Sequence, residues 1–230
     1  MILRCVLFVT TVLGTLVMPK FIIDIFGKHV CWFCLYLLNI RPLCETADKI
    51  DNRARIIVFQ HHTYIDNALI GYVFGMTGFV MKESLMRCIL PWFYVMKYPC
   101  ILVGRGGCTE RLLQFMQRKT GKVAIPPEGG SWTPQTCTGI LAQFRTGAFV
   151  QLMPVQPVTF RFSDQSIEWR TNESAVHWYI RQFKRNYTIS VVIHVHSSVS
   201  PDLGSSPQQF ADKTKMQMLR DHFESKQSVE

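Results

Sequence analysis

From residue 55 onward, short apolar runs of β type alternate with helical stretches, and this alternation limits the fold more than any other feature of the chain. Residues 55–60 (RIIVFQ) predict a buried strand, 67–76 a helix and 78–82 (GFVMK) a strand. Residues 83–97 predict an amphipathic helix that Pro91 must break or bend, 99–104 (PCILVG) a strand, 108–119 a helix and 122–126 a strand. Later, 150–160 and 187–195 predict strands, with helices near 173–185 and 207–223. Such alternation closes into an α/β fold, with a mixed, partly parallel sheet flanked by helices.

The N-terminus has a different character. Residues 1–18 carry one charge, Arg4, and the apolar run that follows it stops at Pro19 and Lys20. That run is short against the roughly 20 residues a spanning helix needs. Residues 21–40 are again apolar but contain Asp24, Lys28 and His29. Short length and central charges suit a membrane-associated helical hairpin lying in one leaflet. A cleaved signal peptide lacks its small-x-small site here, and a single tilted transmembrane helix is the third possibility. The expected organisation is an anchoring segment at 1–40, a polar linker at 41–54, the main domain at 55–224 and a frayed end at 225–230.

Composition narrows the partners. A net charge of +9 favours anionic ones, such as lipid headgroups or phosphorylated substrates. The chain shows no nucleic-acid-binding signature, so no nucleic acid partner is expected. Eight cysteines include a CxxC at Cys31 and Cys34, but in an aromatic, apolar stretch with no second pair at zinc spacing. They read as buried or membrane-facing free thiols.

Three short segments carry chemistry. His61 and Asp66, in QHHTYID, directly follow the first predicted strand of the main domain, and strand C-terminal ends open into the crevice of a parallel sheet. Residues five apart on one helix point to different faces. The two can meet only with His61 on the turn and Asp66 in the first turn of the next helix, with Thr63 as a fitting N-cap. The carboxylate then holds one imidazole nitrogen and leaves the other as a base; His62 points elsewhere. The bland alternative is a pair that never touches. Arg105 stands one residue past a strand, among Gly104, Gly106 and Gly107, where it could grip a phosphate or be an ordinary surface arginine. Glu128, Gly129, Gly130 and Ser131 follow Pro126 and Pro127: a rigid approach to a sharp turn where backbone can come close to a ligand, or a plain loop. His194 and His196 share one strand face, two metal ligands at most, so no metal is expected.

Taken in order, these segments resemble the motifs of the glycerolipid acyltransferase family, which includes the 1-acylglycerol-3-phosphate and lysophosphatidylcholine acyltransferases. His61 and Asp66 are similar to its His-x4-Asp, residues 101–105 to its strand ending in arginine, and Pro127, Glu128, Gly129 and Gly130 to its Pro-Glu-Gly-Thr. Residues 150–158 (VQLMPVQPV) resemble its proline-containing strand, with Pro154 in the motif position, and 144–149 (FRTGAF) its Lys-x-Gly-Ala-Phe. The likeness covers about residues 55–160, and the lysophosphatidylcholine branch is the nearest in pattern. Gly130 departs from the usual threonine, so Ser131 must supply any hydroxyl, and Gly104 departs from an acidic or small polar residue.

The resemblance implies transfer of a fatty acyl chain from acyl-CoA, a co-substrate rather than a cofactor, to the hydroxyl of a lysophospholipid or lysophosphatidic acid. His61 would be the base and Asp66 its orienter. Arg105 would hold the acceptor phosphate, with Glu128, Gly129, Gly130 and Ser131 shaping the acceptor site. It implies a membrane protein, at the endoplasmic reticulum with this domain facing the cytosol. Absence of a Gly-x-Ser-x-Gly elbow argues against a serine acyl-enzyme. The competing readings are a non-catalytic, membrane-docked scaffold and a hydrolase that turns the same pair on water.

Overall fold

A computed structural model of the chain describes residues 2–75, 77–82, 100–103, 108–118, 121–127, 144, 146–168 and 173–227. Helices α1 (Ile2–Val17) and α2 (Lys20–Leu37) form a hairpin that turns at Pro19, the N-cap of α2. Then come β1 (Ile40–Glu45), β2 (Ile56–Phe59), α3 (Asp66–Phe74), β3 (Gly78–Lys82), β4 (Ile101–Val103) and α4 (Cys108–Arg118). β5 (Val123–Ile125), β6 (Val155–Phe162), α5 (Ala175–Lys184), β7 (Ile189–Val195) and α6 (Pro207–Gln227) complete the described strands and α-helices.

The seven strands make one mixed sheet in the order β1-β7-β6-β2-β5-β3-β4. All neighbours are parallel except β6 and β7. Central β2 is apolar at every position because both faces are covered. Ile57 and Phe59 pack toward Leu35 of α2, Leu69, Ile70 and Val73 of α3, and Trp178 and Phe183 of α5. Ile56 and Val58 pack the other way, toward Leu112, Phe115 and Met116 of α4 and Phe210, Ala211 and Met218 of α6. The apolar positions of α4 fall at i, i+3 and i+4, the spacing of one helix face.

Residues 41–45, expected at the start of a linker, form the edge strand β1 instead, in parallel register with β7 from Ile40↔Ile189 to Glu45↔His194. Its alternate residues face outward, and a half-solvated edge strand has the composition of a polar loop. Strand β6 begins at Val155, so Pro154 precedes it and Pro157 lies inside it. Proline removes a donor from a ladder. Here His196 N–H donates to Pro157 O at 3.1 Å, and the reciprocal acceptor, His196 O, takes a hydrogen bond from the Gln156 side chain. Gln156 is fully buried, and its Oε1 accepts the Asp51 N–H at 2.7 Å. One side chain thus replaces the missing ladder bond and ties down the segment before β2. At the other end of the chain, α6 continues to Gln227, past the start of the segment expected to fray. The predicted helix at 83–97 lies outside the described residues.

The hairpin is packed onto the domain rather than tethered to it. Buried Ile23, Gly27, Cys31 and Leu35 recur every fourth residue along α2, and Cys31 sits against Gly71 of α3. On α1, Phe8 packs against Tyr179 and Phe183 of α5, with ring centroids 5.5 Å apart in each case. Arg4 donates to the Phe183 and Arg185 carbonyls at 2.9 and 3.1 Å, satisfying acceptors that the end of α5 leaves open. Burial pushes the pKa values of the Cys31 and Cys34 thiols up to about 12 and about 11. Among the described residues no helix is long and apolar enough to cross a membrane, so the expected transmembrane helix is not found there.

Candidate active site

His61 and Asp66 meet where β2 gives way to α3. The chain leaves β2 at Phe59 and enters α3 at Asp66, so the histidine stands on the turn and the aspartate is the first helical residue. His61 Nδ1 lies 2.9 Å from Asp66 Oδ2. The carboxylate is fully buried, while 24% of the His61 side chain is exposed. Burial of an anion demands compensation, and four donors converge on this one. Oδ2 accepts the N–H groups of His62 and Thr63 at 2.7 and 2.9 Å, besides facing His61, and Oδ1 accepts the Thr63 hydroxyl at 2.7 Å. A carboxylate only accepts, so the His61 proton belongs on Nδ1, and Nε2 is the nitrogen with the lone pair.

Thr63 is not the N-cap expected of it. That position belongs to Ile65, which makes no side-chain cap. The Thr63 hydroxyl is turned inward, donating to Asp66 and accepting the Ile65 N–H at 3.2 Å. The reason is local: the buried anion is a stronger partner for that hydroxyl than a helix-end amide.

The two adjacent histidines have different surroundings. The His62 ring turns to Phe162 and Gln60, with Nδ1 3.8 Å from Glu168 Oε1. Burial lowers the pKa of His62, a shift opposed by the Asp66 charge and helped by His61. Burial, then Asp66, raise that of Glu168. Sequence reasoning missed Glu168. It lies in the turn after β6, far along the chain, and only tertiary packing brings it in. Helix α5 holds that turn: Trp178 Nε1 donates to Ile167 O at 2.6 Å, and Arg181 Nη2 donates to Glu168 O at 2.9 Å while pairing with Glu173.

Arg105 and Glu128, Gly129, Gly130 and Ser131 lie outside the described residues, as does Gly104. The strands that lead to them, β4 and β5, run parallel to β2 in the sheet and end at the edge where β2 ends. Phe144 and Phe149, from the segment before β6, are core residues, stacked with centroids 6.2 Å apart. His194 and His196 are neighbours, 4.7 Å between ring centroids, and His196 Nε2 lies 2.9 Å from the Thr159 hydroxyl. Among the described residues no group of three or more potential ligands could hold a metal ion.

In a largely parallel α/β core, a histidine–aspartate pair at the end of a central strand is an arrangement that can carry proton transfer. The family model described as acyltransferase matches residues 41–161, and the chain belongs to that family. The match begins in β1 rather than at residue 55, consistent with β1 being part of the sheet. Among solved structures, the 1-acyl-sn-glycerophosphate (LPA) acyltransferase PlsC from Thermotoga maritima is similar, with a TM-score of 0.67 and 18% sequence identity over 90% of this chain and 79% of that one. At that identity the likeness is one of fold. No curated protein matches the chain significantly.

Proposed function

We propose that this acyltransferase moves a fatty acyl chain from acyl-CoA to the free hydroxyl of a lysophospholipid or lysophosphatidic acid, with no cofactor. The observation that carries the proposal is the 2.9 Å contact between His61 Nδ1 and the buried Asp66 carboxylate, inside the segment matched by the family model. His61 Nε2 takes the proton of the acceptor hydroxyl as that oxygen attacks the thioester carbonyl. Collapse of the tetrahedral intermediate forms the ester and expels the thiolate, which takes the proton back from the imidazolium. Asp66 fixes the tautomer and stabilises that imidazolium. Arg105 holds the acceptor phosphate, and Glu128, Gly129, Gly130 and Ser131 shape the acceptor site.

The same reading puts the protein on a membrane, where its substrates are, at the cytosolic face of the endoplasmic reticulum. The apolar outer surface of α1 and α2 supports it, with Leu3, Val6, Leu13, Phe21, Ile25 and Trp32 among the exposed side chains. The test is an assay with purified protein in micelles, labelled acyl thioesters of CoA or of an acyl carrier protein, and a panel of lysophospholipids. Ester formed from acyl-CoA supports the proposal. Ester only from the carrier-protein donor would replace the donor, free fatty acid alone would mark a hydrolase, and no product a scaffold.

A further inference from the structure

Among the described residues, the exposed large apolar side chains gather on the hairpin and beside it. Of the twenty among the described residues, thirteen lie on the hairpin, from Ile2 to Tyr36, and two more, Val176 and Ile180, are on α5. Val176 and Ile180 are 67% and 45% exposed. They are one turn apart, i and i+4, so they share a flank of α5. That flank adjoins Tyr179 and Phe183, the residues that pack on Phe8 of α1, and it lies away from the buried Trp178 and Gln182. The apolar surface therefore runs from the hairpin across α1 and onto a helix of the main domain. Its charges are mainly basic. Across α1, α2 and α5 stand Arg4, Lys20, Lys28 and Lys184 against Asp24, which pairs with Lys20, while Arg181 turns away to Glu173.

We infer that the outer flank of α5, Val176 and Ile180 with Lys184 at its end, is a second part of the membrane-docking face, so that the main domain itself rests on an anionic lipid surface. This rests on the membrane reading above and goes beyond it, because the hairpin would no longer be the sole contact. The chemistry fits a bilayer interface: aliphatic side chains at the acyl boundary, cations toward the headgroups, and the exposed, stacked Trp32 and Tyr36 of a type enriched at that depth. The latch of Arg4 on the last carbonyls of α5 holds the two parts of the face in one fixed relation. A bilayer bound there also abuts the helix that pins the Glu168 turn beside the site.

The experiment is flotation of the full chain, purified in mild detergent and diluted into vesicles of phosphatidylcholine with phosphatidylserine. Val176→Gln with Ile180→Gln is compared with Phe21→Gln with Ile25→Gln and with wild type. Light scattering reports the oligomeric state, and circular dichroism the fold. The expected result is binding by wild type and a loss of about tenfold or more in partitioning for each pair of substitutions. If the α5 pair floats like wild type while the hairpin pair does not, the hairpin alone docks and the inference falls. If wild type itself stays unbound, the membrane reading falls with it. A wild-type dimer that the α5 pair turns into a monomer would assign the flank to a second copy and also overturn the inference. Should the α5 pair fail to fold, Lys184→Glu carries the same test: weaker flotation supports the inference, and unchanged flotation overturns it.

Discussion

The Thr63 hydroxyl donates to Oδ1 of Asp66 at 2.7 Å, on the carboxylate whose other oxygen faces His61. A fully buried threonine thus sets the rotation of the residue that orients the proposed base. Replacing Thr63 with valine keeps the shape and removes the donor. A hydrogen bond to a charged group contributes about 1.5–3 kcal/mol, so Thr63→Val should lower the stability by about that amount and reduce turnover. Thr63→Ser should retain most of both. Denaturant midpoints and rates on the same preparations check this, and a Thr63→Val protein as stable and active as wild type would remove Thr63 from the site.

The hairpin and the main domain touch most closely at α2 and α3. A Cβ added at Gly71 would stand 2.6 Å from Cys31 Sγ, closer than packed atoms sit. Gly71→Ala should therefore destabilise by about 1–3 kcal/mol, as overpacking does. Cys31→Ala in the same chain should recover much of that, with a coupling of about 0.5–3 kcal/mol in a double-mutant cycle. Additive effects would mean that the two helices do not pack as described.

The Gln156 side chain serves Asp51 N–H and His196 O together. Gln156→Leu keeps the volume and orphans both groups, each at about 1–3 kcal/mol. The site lies at the other end of β2, so turnover per folded molecule should hold while thermal stability drops. An unchanged melting temperature would contradict the role given to this residue in bridging the proline.

His62 predicts a dependence of stability on pH. Burial, helped by His61 and opposed by the Asp66 charge, lowers its folded-state pKa below 6.5. The unfolded chain then binds more protons between that depressed value and pH 6.5, so this contribution is present above pH 6.5 and is lost as pH falls. His62→Gln should be less acid-sensitive than wild type across that window. Glu168, whose pKa is raised from 4.5, acts with the opposite sign but is common to both proteins and largely cancels in the comparison. Parallel stability curves would show that His62 titrates normally.

Much of this arrangement was legible in the sequence because it depends on local pattern. The continuous apolar run of β2 and the five-residue spacing from His61 to Asp66 dictate a strand, a turn and a helix start. Trp178, a large aromatic within the predicted helix near 173–185, is fully buried in the core. What was not legible depends on distant partners. β1 carries Arg41 and Glu45 on its outer side and becomes a strand only by pairing with β7. The antiparallel direction of β7 against β6 leaves no trace in either strand. The same holds for Glu168, whose closeness to His62 is created by α5. Thr63 suits a helix cap by its chemistry, but the buried carboxylate competes for the same hydroxyl and wins.

The central claim is that His61, held by Asp66, is the base that activates the acceptor hydroxyl. The direct measurement is ester formation from labelled acyl-CoA and a lysophospholipid by wild type and by His61→Ala, with matched circular dichroism and melting curves. The side chain is partly exposed at a strand end, so the fold should be unchanged. Loss of a general base lowers turnover by about 10²–10⁴-fold, and a fall of that size is predicted. A folded His61→Ala protein that keeps more than about a tenth of wild-type turnover, against that expectation, would contradict the account.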